Sequence, residues 1–121
     1  MTKITIYQKP TCRTCRRVHA ALKDSGVDFK AVDYYTDPIS KTKIKRLLSK
    51  MNMQVADLLR KREGVYKELG LAKKKLSKES LLDLMVKYPD LIERPIVEKG
   101  EKAILARPAE RILDILSTES K

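Results

Sequence analysis

Polar and apolar residues alternate from Lys3 to Tyr7, with Ile4 and Ile6 on one side, and this period of two predicts a short strand that Pro10 closes. The period then lengthens to that of a helix. Val18, Ala21, Leu22 and Ser25 recur on one face, with Thr11 as the predicted cap and Gly26 as the stop. Val27 to Tyr35 reads as a second strand. A strand, helix, strand unit of about 30 residues normally sets its two strands parallel.

The middle of the chain is helical by the same criterion. Asp37-Pro38 and Ser40 open a helix whose Ile44, Leu47, Leu48 and Met51 follow i, i+3, i+4, i+7 spacing. Val55 to Arg60 and Val65 to Leu71 predict short helices. Ser77 caps another, with Leu81, Leu84, Met85 and Tyr88 on its face. After Pro89, two apolar runs, Pro95-Ile96-Val97 and Ala103-Ile104-Leu105, flank residues 98–102, where Gly100 suits a hairpin turn. Pro108 starts a last helix carrying Ile112, Ile115 and Leu116, and residues 118–121 read as a loose tail. The order predicts an α/β protein, a thioredoxin-like βαβ…ββα sheet with an inserted helical subdomain. At 121 residues the expectation is one domain, 1–121, with the helical insert over about 40–90.

Charge narrows the class of partner. Twenty-seven Lys and Arg stand against sixteen Asp and Glu, for a net charge of +11, so the surface gathers anions. No apolar run approaches the roughly 20 residues of a membrane span, and the N-terminus lacks the continuous apolar core of a secretory signal. A cytoplasmic protein without a membrane is expected. Nucleic-acid binding is not, because no reading motif accompanies the charge and few aromatic residues are available for stacking.

Both cysteines fall in Cys12-Arg13-Thr14-Cys15, at the turn from the first strand into the first helix. Free amides and the helix dipole favour an anion there, and Arg13, Arg16 and Arg17 add positive potential, so a lowered Cys12 pKa is expected. Cysteines at i and i+3 share a face, which lets Cys15 attack a bond formed at Cys12. Cys15 otherwise reads as a small buried hydrophobe. A closed zinc site lacks ligands, with His19 the one histidine, and a structural disulfide does not suit a reducing compartment. No bound metal or cofactor is expected.

With those features placed, the chain resembles, almost end to end, the arsenate reductase family that works with glutathione and glutaredoxin. The resemblance is carried by Ile4-Thr5-Ile6-Tyr7, Pro10, Cys12 and Arg16, by Leu58-Leu59-Arg60-Lys61, by Tyr66 and Leu69-Gly70-Leu71, and by Arg94-Pro95-Ile96-Val97 and Arg107-Pro108. It implies that Cys12 is the nucleophile, that Arg60, Arg94 and Arg107 bind the oxyanion, with Arg16 also on the substrate side, and that Pro95 is cis beside Cys12. Guanidinium forks suit a tetrahedral dianion. The implied partners are arsenate or a related oxyanion, and glutathione with glutaredoxin, or thioredoxin, as electron donor to a monomer.

Three departures from that pattern matter. Gln8-Lys9 stands where the family reads His-Asn, so Lys9 becomes the candidate for the positive charge near Cys12. Position 15 is Cys where the best-known members have Ser, which opens a route through a Cys12–Cys15 disulfide. The chain also ends soon after its last helix. The Cys-X-X-Cys version resembles a second branch of the same fold, the Spx-type regulators, which sense oxidation and bind the RNA polymerase α subunit. A third reading is a relative that handles glutathione adducts rather than arsenate.

Overall fold

The structure, a computed structural model, describes residues 3–61 and 64–116. Its element order is β1 (Ile4–Gln8), α1 (Arg13–Asp24), β2 (Phe29–Asp33), α2 (Lys41–Met51), α3 (Val55–Leu58), α4 (Gly64–Glu68), α5 (Lys78–Lys87), β3 (Ile96–Lys99), β4 (Lys102–Leu105) and α6 (Ile112–Leu116). Packing divides the chain into two compact units, one of Met1–Asp37 with Arg94–Lys121 and one of Pro38–Glu93.

The first unit is a four-stranded sheet in the order β2-β1-β3-β4. β1 runs parallel to β2, as the crossover through α1 requires, and antiparallel to β3, which pairs antiparallel with β4. The β3–β4 hairpin turns on two residues, with Gly100 at φ 60°, a left-handed conformation that costs glycine little. Alternation along β1 sends Ile4 and Ile6 to one face, where they pack with Val18 and Leu22 of α1, Val97 of β3, and Ile112 and Ile115 of α6. Each such buried side chain contributes roughly 1.5–3 kcal/mol. The other face carries a buried polar pair, in which Tyr7 Oη donates to Glu98 Oε1 at 3.0 Å. Burial first, then that hydrogen bond and the Glu98 charge, push the Tyr7 phenol above its usual range.

The second unit holds α2 to α5. Ser40 caps α2 through its side chain, accepting from the Lys43 amide, and Ser77 caps α5 likewise, accepting from the Ser80 amide. Ile44, Leu47 and Leu48 of α2 are buried, as the spacing predicts. In α5 the buried pair is Leu82 and Met85, while Leu81, Leu84 and Tyr88 are half-buried, so the inner face is turned from the predicted one. A single antiparallel bridge, Leu59 to Ile92, closes the unit and sets Arg60 beside Glu93.

Several predicted boundaries shift. β2 is shorter than the apolar run from Val27, and β3 continues through Glu98 to Lys99, so Glu98 is a strand residue rather than part of the turn. The segment predicted as one helix over 65–71 is α4 followed by a separate 3-10 turn at Leu71–Lys73. Pro108 precedes a 3-10 turn before α6 begins. The tail reading over 118–121 lies outside the described residues. Among the described residues no helix is long and apolar enough to cross a membrane.

Candidate active site

The site forms where β1 gives way to α1. The Cys12 amide donates to the Lys9 carbonyl at 2.9 Å, closing a tight turn over Pro10 and Thr11. Cys12, not Thr11, is the N-cap of α1, because its φ of −77° and ψ of 127° leave it extended and its sulfur accepts from the Cys15 amide at 3.4 Å. A hydroxyl or carboxylate usually fills this role, and a sulfur fills it best as the thiolate, which is the stronger acceptor. The first turn of α1 carries no acidic residue to oppose that charge.

Arg94 supplies the positive partner. It precedes β3, is only 5% exposed, and hydrogen-bonds through its side chain to the Cys12 sulfur. Its guanidinium also donates from Nη1 to the Tyr35 hydroxyl at 3.2 Å. Burial works against the Arg94 charge, and Tyr34, Tyr35 and Cys12 outweigh it, so the group stays cationic. Burial likewise pushes the Cys12 thiol up, but the Cys15 amide, the Cys15 thiol and the Arg94 guanidinium together pull it down to about 7. The neighbouring thiol moves the opposite way. Cys15 is fully buried, and burial, with the Cys12 charge beside it, pushes it up to about 12 against a backbone hydrogen bond with Lys9.

The other predicted site residues are placed as follows. Arg107 is half-buried and donates from Nη1 to the Arg94 carbonyl at 2.9 Å, so it fastens the backbone that carries Arg94. The Arg94–Pro95 and Arg107–Pro108 peptide bonds are both cis. Lys9 sets its ammonium 4.8 Å above the centre of the Tyr35 ring, a cation–π arrangement. The cation in contact with the Cys12 sulfur is thus Arg94. Arg16 is exposed one turn into α1, beside Arg17, which pairs with Glu110 at 3.1 Å. Arg60 belongs to the helical unit, where it pairs with Glu93 at 2.9 Å and both side chains are largely buried. His19 packs edge-on against Phe29, with ring centres 5.1 Å apart, and is a packing residue.

Tyr35 was not singled out from the sequence, and Gln8 was noted there only as a departure from the family pattern. Tyr35, in the turn two residues past β2, touches both Arg94 and Lys9. Gln8 ends β1 buried, and its Oε1 makes no hydrogen bond. A doubled tyrosine just past a strand was the one available signal for Tyr35. For Gln8 it was the strand register, which puts it on the Ile4 and Ile6 face.

An activated thiolate under a buried guanidinium can attack an electrophilic centre and offset the negative charge of an incoming oxyanion. The relatives carry the same reading. The model of the ArsC family matches residues 7–115. The chain is 39% identical over 121 residues to an arsenate reductase of Escherichia coli, spanning 100% of this chain and 86% of that protein. It is 41% identical over 118 residues to the uncharacterized protein YfgD of Escherichia coli (strain K12), spanning 96% of this chain and 99% of that one. The solved structure of the arsenate reductase from Vibrio cholerae superposes with a TM-score of 0.89 at 34% identity, over 94% of this chain and 98% of that chain. A family match across nearly the whole sequence, a shared thioredoxin-like α/β fold and a half-buried cysteine of lowered pKa at the expected place lead to one assignment: the chain belongs to the ArsC family and is an arsenate reductase-like oxidoreductase.

Proposed function

We propose that the chain reduces arsenate to arsenite in the cytoplasm, with Cys12 as the nucleophile. The observation that carries this reading is the half-buried Cys12 sulfur, capped by the Cys15 amide and bonded by Arg94. The thiolate displaces an oxygen of arsenic(V), and a second thiol then completes the two-electron reduction. Arg94 and Arg107 line the path of the oxyanion, with Lys9 and Arg16 as further cations for it. Their main effect falls on the charge that builds as oxygen departs, since only interactions stronger in the transition state speed the step. Electrons come from glutathione and glutaredoxin, or from thioredoxin. No bound cofactor enters the scheme.

The descriptions of the relatives favour reduction over the Spx-type regulator reading. The test is a coupled assay with arsenate, NADPH and its reductase, run once with glutathione and glutaredoxin and once with thioredoxin. Turnover with at least one donor is expected, falling by on the order of 10³-fold or more in Cys12→Ser, as nucleophile removal does elsewhere. Absence of turnover with both donors overturns the proposal.

A further inference from the structure

Cys15 is the one nucleophilic side chain of the site that the scheme above leaves without a task. Its amide donates to the Cys12 sulfur at 3.4 Å, its thiol hydrogen-bonds to the same sulfur, and its side chain is fully buried. Both cysteines are present as free thiols. We infer that Cys15 is the resolving thiol of an intramolecular cycle, so that one chain delivers both electrons to its substrate before any donor binds. The inference rests on the reading of Cys12 as the nucleophile that attacks arsenate.

The steps balance as follows. The Cys12 thiolate bonds to arsenic(V), and an oxygen leaves with a proton as water. The Cys15 sulfur then attacks Cys12 Sγ, its proton passing to the departing oxyanion. An S–S bond forms, and the S–As bond breaks with its electron pair remaining on arsenic. Arsenic(V) becomes arsenic(III) while the two thiols become a disulfide. An external dithiol, or two monothiols, afterwards reduces that disulfide and is itself oxidised to a disulfide.

Geometry favours Cys15 over an external thiol. The two cysteines share the first turn of α1, with the Cys15 amide donating to the Cys12 sulfur at 3.4 Å, so the step is unimolecular and needs no encounter. The electrostatics hand over in the right order. While Cys12 is anionic, its charge holds Cys15 protonated. Once Cys12 is bonded to arsenic, the negative charge on that sulfur is gone, whereas the Lys9 backbone hydrogen bond and the Arg94 charge that favour a Cys15 thiolate remain. Cys15 is sealed and Cys12 is not, so a donor must attack the disulfide at Cys12, with Cys15 as the leaving group.

The decisive experiment mixes fully reduced protein, freed of all other thiols, with one equivalent of arsenate and maps the products by mass spectrometry. One arsenite per chain and a Cys12–Cys15 disulfide are expected. In Cys15→Ser, single-turnover release of arsenite should fall at least about tenfold and return when a monothiol is added. Equal release from both proteins, or release from the wild type only after thiol is added, overturns the inference. A second arm uses one equivalent of hydrogen peroxide on the wild type and so does not depend on how the variant folds. Peroxide converts the Cys12 thiolate to the sulfenic acid, and Cys15 displaces water to give the same disulfide. A disulfide here with no arsenite formed under any condition keeps Cys15 as the resolving thiol and removes arsenate as the substrate. Cys15 left free after peroxide overturns the inference outright.

Discussion

In the sheet unit Arg94 is sunk to 5% exposure and divides its donors between a sulfur and a phenol, with Arg107 fixed to its backbone. In the helical unit Lys41 reaches Glu79 at 2.7 Å and Asp83 at 2.8 Å, and Lys45 reaches Glu79 at 2.8 Å, on a surface where these side chains are 35% to 67% exposed. Both regions pair cations with electron-rich partners at short range. Solvent makes the difference between them. Water screens the exposed network, so its members are nearly interchangeable with other polar groups. A buried guanidinium acts at lower dielectric, and its effect on a neighbouring thiol is correspondingly large. The basic charge of this chain is spread over its whole length, yet on this account its chemistry depends on the few cations withdrawn from water. Arg60 is the intermediate case, largely buried yet already neutralised by Glu93.

Substitutions at each kind of site separate these roles. Arg94→Gln should lower kcat/KM for arsenate by about 100-fold, the scale for losing one donor to a developing oxyanion, and should move the Cys12 titration upward toward the ordinary 9.0. Arg94→Lys keeps the charge but loses the fork, so it should restore the titration better than it restores turnover. Arg60→Gln leaves Glu93 without its partner inside the helical unit, so the urea midpoint should fall while the Cys12 titration stays unmoved. Tyr35→Phe removes one hydrogen bond to Arg94, and turnover should drop only about fivefold. Glu79→Gln should leave both the urea midpoint and the turnover within error of the wild type. The Glu79 carboxyl is held low, at about 2, by the Lys41 and Lys45 hydrogen bonds, but it is fully exposed.

What the sequence made legible follows the same division. Periodicity located the parallel β1–α1–β2 unit, the α2 face and the hairpin, because local spacing encodes those elements. It missed the true cap of α1, since tables of capping residues favour Thr11 and give no weight to a cysteine that accepts as a thiolate. The turned face of α5 and the split of the 65–71 helix were set by packing within the helical unit, which spacing alone underdetermines. At the site, Cys12 and Cys15 were legible from their place at a helix start. The burial of Arg94 was not, because arginine is a surface residue by default and its phenol partner lies 59 positions away in the chain. Glu98 was hidden for the same reason. Its partner Tyr7 is 91 residues distant, and only the register of β1 against β3 brings the two together.

The most direct test of the central claim is the pH dependence of Cys12 alkylation, followed by iodoacetamide labelling with peptide mapping. A lowered thiol pKa means that the thiolate is populated as pH rises through the folded value, so the labelling rate should climb with a midpoint of about 7. Cys15 should stay unlabelled across the same range. A Cys12 midpoint near 9.0, the value of an unassisted thiol, would contradict the account.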